Sequence, residues 1–93
     1  MASPDIPKAA PVKALAAFRA AFTAHRLAAG LSTRQLSRMA GLSATAVQGW
    51  ENGRTAPNIK SLYRVAFVLR VPLATLIGPL DKFLAKAAEN TPP

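Results

Sequence analysis

Apolar residues recur every three or four positions along most of this chain, which is the spacing of amphipathic helices, and no stretch alternates with the period of two typical of strands. The first predicted helix covers residues 13–29, which are rich in alanine. Leu15, Phe18 and Phe22 form its apolar stripe, and Gly30 follows as a helix stop. Because every predicted element is helical, the expected fold class is all-α.

A short second helix follows the first. Ser32 and Gln35 form a capping box that opens this helix, which is predicted over residues 33–40. Gly41 ends it. Its expected apolar stripe is Leu36, Met39 and Ala40.

The third helix is predicted over residues 44–51, with Ser43 as its N-cap. Asn52 and Gly53 end it. Two short helices joined by a tight turn with a glycine form a helix-turn-helix unit, whose second helix enters the major groove of DNA. The spacing therefore predicts that the third helix is a recognition helix.

The two faces of this third helix differ in composition. At about 100° per residue, one face is apolar and the other is small and uncharged. The inward face holds Ala46, Val47 and Trp50, and the outward face holds Ala44, Thr45, Gln48, Gly49 and Asn52. A surface helix ordinarily carries charged residues on its outer side, so this composition predicts close approach to another flat surface. Gly49 would give base pairs or backbone room to come near.

Two further helices complete the predicted domain. Asn58 caps a fourth helix over residues 59–69. A short fifth helix covers residues 73–77 and ends at Gly78. The expected inward residues of the fourth helix are Ile59, Leu62, Val65, Ala66 and Leu69.

The chain carries a net charge of +8, and all of it falls in the middle of the sequence. Residues 1–12 and 79–93 are each neutral, whereas residues 13–78 contain nine cations and a single acid, Glu51. A folded basic domain of this kind predicts an anionic partner, either nucleic acid or membrane headgroups. The cations are Lys13, Arg19, Arg26, Arg34, Arg38, Arg54, Lys60, Arg64 and Arg70.

Composition and charge also suggest boundaries along the chain. Residues 1–12 contain three prolines among small and polar neighbours and are expected to be a flexible arm. Residues 13–78 form the predicted helix-turn-helix domain. Residues 79–93 begin with Pro79, which is favourable at the first position of a short sixth helix over residues 80–89, and this segment is a candidate for dimerisation.

Several kinds of site are excluded by composition. The chain has no cysteine and one histidine, His25, so it lacks the ligands for a disulfide framework or a Cys/His metal site, and neither a metal nor a cofactor is expected. The N-terminus lacks the apolar core of a signal peptide, and no later run is long enough to span a membrane. A cytoplasmic protein is expected.

One further pattern runs through residues 26–77. It consists of Gly-Leu-Ser at 30–32, Leu36, Gly41, Ser43, Trp-Glu-Asn-Gly at 50–53, and Pro57. With these residues the segment resembles the phage-repressor and Cro-like (XRE-type) helix-turn-helix family. The resemblance implies a lambda-repressor-like domain of five helices that binds double-stranded DNA, usually as a homodimer on a palindromic operator.

The resemblance also implies roles for individual residues. Arg26 would pair with Glu51 and tie the first helix to the end of the recognition helix, a pair whose disruption is costly when it is partly buried. Phosphate contacts are implied for Thr33, Arg34, Ser43, Asn52, Arg54 and Asn58. Base contacts fall by position to Ala44, Thr45, Gln48 and Gly49, and Gln48 suits a bidentate contact to adenine.

The chain departs from the family pattern at several positions. Thr33 stands where the family commonly has glutamine, and Ala44 and Gly49 stand where it often has a longer side chain. DNA shape and dimer spacing are therefore expected to carry much of the specificity. Arg70 stands where the family prefers glycine, and two usually polar positions of the fourth helix are apolar. These two, with three residues beyond them, form the expected dimer surface: Phe67, Val68, Leu80, Phe83 and Leu84.

The prediction is a sequence-specific DNA-binding transcriptional regulator, a repressor that binds a palindromic operator as a homodimer. The alternative is an antitoxin that binds a toxin, or another regulatory protein, and also regulates its own promoter. An enzyme is not expected, because Glu51 is structural and His25 has no predicted nucleophile or acid beside it. A membrane partner is not expected either, because the polar face of the first helix is poor in Lys and Arg.

Overall fold

The computed structural model describes residues 9–80, which form five helices with no strand among them. The helices are α1 (Ala10–Ala28), α2 (Thr33–Met39), α3 (Ala46–Glu51), α4 (Ile59–Leu69) and α5 (73–80). Helix α3 packs against both α1 and α2, and α2 also packs against α4. The predicted all-α class is confirmed. The sixth helix predicted over residues 80–89 lies outside the described residues, apart from Leu80.

Helix α1 begins at Ala10, three positions before the predicted start. Pro11 lies in its first turn, where a missing backbone N–H costs nothing because that group has no partner within the helix. Positions 10–12, which were expected to be part of the arm, therefore belong to α1. Residues 1–8 of that arm lie outside the described residues.

Helix α3 begins at Ala46, two positions after the predicted start, and Ser43 is not its N-cap. The backbone N–H of Ala46 donates to the carbonyl oxygen of Ser43 at 3.1 Å, so residues 43–46 form a turn before the helix. The residue at the N-cap position, Thr45, makes no capping bond with its side chain. A hydroxyl of α2 takes part of the capping role instead, as described below.

Helix α5 does not end at Gly78 as predicted. The chain is helical from residue 73 to residue 80, the last residue described. Gly30, Gly41 and Gly53 have φ values of 72°, 72° and 79°. Gly78 is not among the glycines with positive φ, so its backbone stays right-handed and lacks the conformation that ends a helix at a glycine.

The hydrophobic core lies among all five helices. Its buried side chains are Phe18, Phe22, Leu36, Ala40, Val47, Trp50, Leu62, Val65, Ala66 and Leu76. The ring of Phe22 lies 5.8 Å from that of Phe18 and 5.9 Å from that of Trp50, measured between centroids, and it meets Trp50 edge to face. These aromatic contacts join α3 to α1, and pairs of this geometry stabilise beyond their buried area.

Three residues of the predicted apolar stripes are exposed, Leu15 at 37%, Met39 at 60% and Ile59 at 64%. The buried face of α2 is centred on Leu36, Ser37 and Ala40, and Met39 lies about 100° away from that face. Ile59 is the first residue of α4, one turn before its first buried residue, Leu62. Met39 was therefore assigned to the wrong face of α2, whereas Ile59 lies on the covered face of α4 and is exposed because it precedes the residues that pack.

Candidate nucleic-acid interface

An ion pair joins α1 to the end of α3. Arg26 donates through Nε to Oε2 of Glu51 at 2.7 Å and through a terminal nitrogen to Oε1 at 2.9 Å. Its other terminal nitrogen donates to the carbonyl oxygen of Leu31 at 2.8 Å. The two side chains are only 12% and 13% exposed, and the hydrogen bond to Glu51 raises the pKa of Arg26 above its usual value. The guanidinium thus holds the end of α3 and the turn after α1 together.

A buried hydroxyl, which the sequence pattern did not reveal, sets the start of α3. Ser37 is fully buried; its Oγ donates to the carbonyl oxygen of Thr33 at 2.8 Å and accepts from the backbone N–H of Val47 at 3.0 Å. The first amides of a helix need such partners. The sequence did contain a signal for this role. Ser37 follows the buried Leu36 directly, and a small side chain at that position can lie on the buried face of a short helix.

The outer side of α3 and the loop after it form a shallow concavity. Its lining residues are Ser43, Thr45, Ala46, Gln48, Gly49, Trp50, Asn52, Arg54 and Thr55. Three predicted base-contact positions and three predicted phosphate-contact positions therefore lie side by side. Gln48 and Arg54 are exposed there. A protein that both reads base edges and binds backbone phosphates needs this combination of residues on one surface.

Comparison with protein families identifies the segment that carries this geometry. A helix-turn-helix family model matches residues 24–76, more than half of the chain. The chain belongs to the XRE-type helix-turn-helix family. It is accordingly a DNA-binding transcriptional regulator. Comparisons with curated proteins and with solved structures returned no significant match.

Four predicted contact residues of this helix-turn-helix regulator lie outside the lining of the concavity: Thr33, Arg34, Ala44 and Asn58. Arg34 and Asn58 are exposed, whereas Thr33 and Ala44 are half-buried. Thr33 and Arg34 open α2, next to the capping box in which Ser32 Oγ accepts from the Gln35 N–H at 3.0 Å and Gln35 Oε1 accepts from the Ser32 N–H at 2.8 Å. The capping box itself is confirmed.

The fold of the regulator itself requires a glycine at position 49, in addition to the predicted close approach of DNA. A Cβ at this position would lie 2.7 Å from Oγ1 of Thr55, closer than real Cβ contacts. The carbonyl oxygen of Gly49 also accepts from the backbone N–H groups of Arg54 at 2.9 Å and Thr55 at 3.1 Å. The loop after α3 thus folds back onto Gly49. Thr55, which the sequence analysis did not single out, completes this part of the concavity.

Two of the residues expected to contact phosphate are asparagines, and the side-chain oxygen of each accepts a hydrogen bond from the backbone of the regulator. Oδ1 of Asn52 accepts from the Arg54 N–H at 3.0 Å, and Oδ1 of Asn58 accepts from the Ser61 N–H at 2.8 Å. The second bond is the predicted cap of α4. An asparagine amide keeps two N–H donors when its oxygen is engaged, so both side chains retain the groups that bind a phosphate.

Residues 9–80 contain no cluster of three His, Asp or Glu side chains that could hold a metal ion. Within the same range, no helix has both the length and the apolar character needed to cross a membrane. The single acid of this range, Glu51, is the partner of Arg26, so no unpaired carboxylate of the described chain opposes an approaching phosphate.

Proposed function

We propose that the regulator is a cytoplasmic repressor that binds a palindromic operator as a homodimer. The observation that carries the proposal is the concavity in which Gln48 of α3 and Arg54 of the loop after it lie together. In this proposal Ala44, Thr45, Gln48 and Gly49 face base edges, and Thr33, Arg34, Ser43, Asn52, Arg54 and Asn58 face phosphates. The sign of regulation rests on the phage-repressor members of the family, by analogy.

The proposed dimer surface includes Val68 and Leu80, which are half-buried and pack at the edge of the core. Phe83 and Leu84 belong to the same proposal and lie outside the described residues. Phe67 was expected in this surface too; it is far more exposed than Val68, beside which it lines a groove on α2 and α4. A two-fold dimer would place two recognition helices on half-sites about one turn of DNA apart.

Fluorescence anisotropy with labelled DNA tests the proposal. A fragment from upstream of the regulator's own gene is compared, across a salt series, with a scrambled fragment of the same base composition. Binding to the upstream fragment that persists near physiological salt supports an operator, and sedimentation of the complex should give two chains per site. Equal binding to both fragments, lost steeply as salt rises, would reduce the function to phosphate contact alone.

The alternative function is that of an antitoxin that binds a toxin and regulates its own promoter. One observation favours a protein partner, namely the exposed aromatic residue Phe67 on α4. Co-expression with the product of the neighbouring gene, followed by isolation of a complex, separates the two functions. A complex that also binds the upstream fragment would favour the antitoxin.

A further inference from the structure

A cluster of exposed apolar side chains lies on α2 and α4. Met39, Tyr63 and Phe67 are 60%, 65% and 76% exposed. They line one shallow groove with Ala40, Gly41, Arg64 and Val68. We call this surface the α2–α4 groove. Contiguous apolar patches of this kind on small domains mark interaction sites, whereas single exposed residues do not.

The α2–α4 groove has a cationic edge. A terminal nitrogen of Arg64 lies 3.4 Å from the carbonyl oxygen of Gly41, which places the guanidinium over the end of α2. A guanidinium has five N–H donors, and this is the only hydrogen bond of that side chain to the other described residues. Lys60 is exposed one turn earlier on the same side of α4. The groove therefore offers apolar contacts and free cationic donors together.

A second copy of the chain matches this surface poorly. A two-fold dimer through the groove would bring Arg64 and Lys60 of both copies into one interface, because an isologous interface pairs a surface with itself. Residues 9–80 contain one acid, Glu51, and it is already paired with Arg26. DNA matches poorly as well, because the groove residues Met39, Tyr63 and Phe67 are not among those lining the concavity of the proposed operator contacts.

We propose that the α2–α4 groove binds an acidic amphipathic segment of a partner protein. Apolar side chains of the partner pack against Met39, Tyr63 and Phe67. Its carboxylates bind the guanidinium of Arg64 and the ammonium of Lys60. Partner binding and DNA contact thus use separate surfaces of the regulator. Phe67 is assigned to the groove, and Val68, which also lines it, marks the border with the proposed dimer surface.

The test uses a short designed peptide with leucines along one helical face and glutamates beside them, labelled at its N-terminus. Its binding to the full chain is measured by fluorescence anisotropy. Phe67→Ser should weaken binding about tenfold or more, as for an aromatic residue central to an interface. The matched control is Leu27→Ser, which removes another exposed apolar side chain (63%) from α1 and should change binding less than about twofold.

Charge is tested separately from apolar contact. Arg64→Gln should weaken binding of the glutamate peptide and reduce its salt dependence, and a peptide with lysine in place of glutamate should not bind. Circular dichroism and DNA binding of Phe67→Ser should match the unmodified protein, which separates this proposal from the proposed operator contacts.

Four results would overturn the proposal. The first is no binding of the glutamate peptide, and the second is equal loss in Phe67→Ser and Leu27→Ser. The third is dissociation of a homodimer in Phe67→Ser by sedimentation, which would make the groove a contact between copies. The fourth is binding to phosphatidylglycerol vesicles that Phe67→Ser abolishes while the peptide does not compete, which would make it a lipid surface.

Discussion

The hydroxyl of Ser37 accepts a hydrogen bond from the backbone N–H of Val47 at 3.0 Å, across the turn between α2 and the recognition helix. Ser37 and Val47 are both fully buried, so water cannot replace the hydroxyl if it is removed. One side chain therefore determines how the start of α3 sits on α2, and with it the orientation of the exposed Gln48.

Replacing Ser37 with alanine should lower the free energy of unfolding by about 1–3 kcal/mol, the cost of leaving a buried donor without a partner. Urea unfolding followed by the fluorescence of Trp50 measures the change. Ser43→Ala is the matched control, because Ser43 is exposed and its side chain makes no hydrogen bond to the other described residues. Equal unfolding midpoints for Ser37→Ala and Ser43→Ala would contradict the role.

Even the conservative replacement of Arg26 by lysine should weaken the Arg26–Glu51 pair. Lysine keeps the charge but lacks the planar fork that reaches both carboxylate oxygens and the Leu31 carbonyl. Arg26→Met and Glu51→Gln should each cost up to about 3 kcal/mol, because each leaves a largely buried partner, and the double variant should cost less than their sum.

A double-mutant cycle by urea unfolding measures this coupling, and Arg26→Lys in the same assay should fall between Arg26→Met and the unmodified protein. Arg38→Met, at an exposed position on α2, is the control and should change stability by less than about 0.5 kcal/mol. Strict additivity of the two single variants would show that the pair contributes no coupling.

The contact between Gly49 and Thr55 predicts that the effect of an alanine at position 49 changes sign with its neighbour. In the unmodified protein Gly49→Ala should destabilise, because the new methyl group meets Oγ1 of Thr55 at 2.7 Å. In a Thr55→Ala background the obstacle is gone. Alanine should then stabilise α3 by up to about 1 kcal/mol over glycine, from helix propensity alone. Thermal unfolding of the four proteins tests this, and the same sign in both backgrounds would refute it.

Arg70 ends α4 in the left-handed conformation, with φ 57° and ψ 41°. Among residues 9–80 it is the only residue other than glycine with a positive φ. A residue with a Cβ is strained in this conformation by roughly 1–2 kcal/mol. Glycine removes the strain but lowers stability by about 0.4–1 kcal/mol, because it gives the unfolded chain more conformational entropy. Arg70→Gly should therefore raise stability by about 0.5–1 kcal/mol. Arg70→Ala removes the same charge and keeps the Cβ, so a similar gain in that control would assign the effect to charge.

Replacing Gln48 and replacing Arg54 should affect DNA binding in different ways. Arg54→Ala should weaken binding to all DNA sequences and reduce the slope of log K against log salt by about one unit. Gln48→Ala should relax preference at one base pair, by about 1–3 kcal/mol, with the salt slope unchanged. Arg70→Ala serves as the charge-matched control outside the concavity. Equal loss on every sequence for both variants would contradict the assigned contacts.

Several features of the fold could be predicted from the sequence because they depend on residues close together along the chain. The capping box of Ser32 and Gln35 and the Asn58 cap each join residues three positions apart, so the helices α2 and α4 begin where the sequence places them. The small, uncharged outer side of α3 also depends only on helical spacing. For the same reason the family, and with it DNA binding, could be inferred from residues 26–77 alone.

The tertiary structure alone decided which side of each helix is covered and which polar groups meet between helices. Periodicity identifies an apolar stripe but not its neighbours, so Met39 was placed inward and Ser37 was not. The start of α3 depends on a hydroxyl ten positions earlier, and the space at Gly49 depends on a loop that folds back onto it. Such contacts exist only once the helices have packed, because burial and hydrogen bonding between elements are properties of their arrangement in space and not of local spacing.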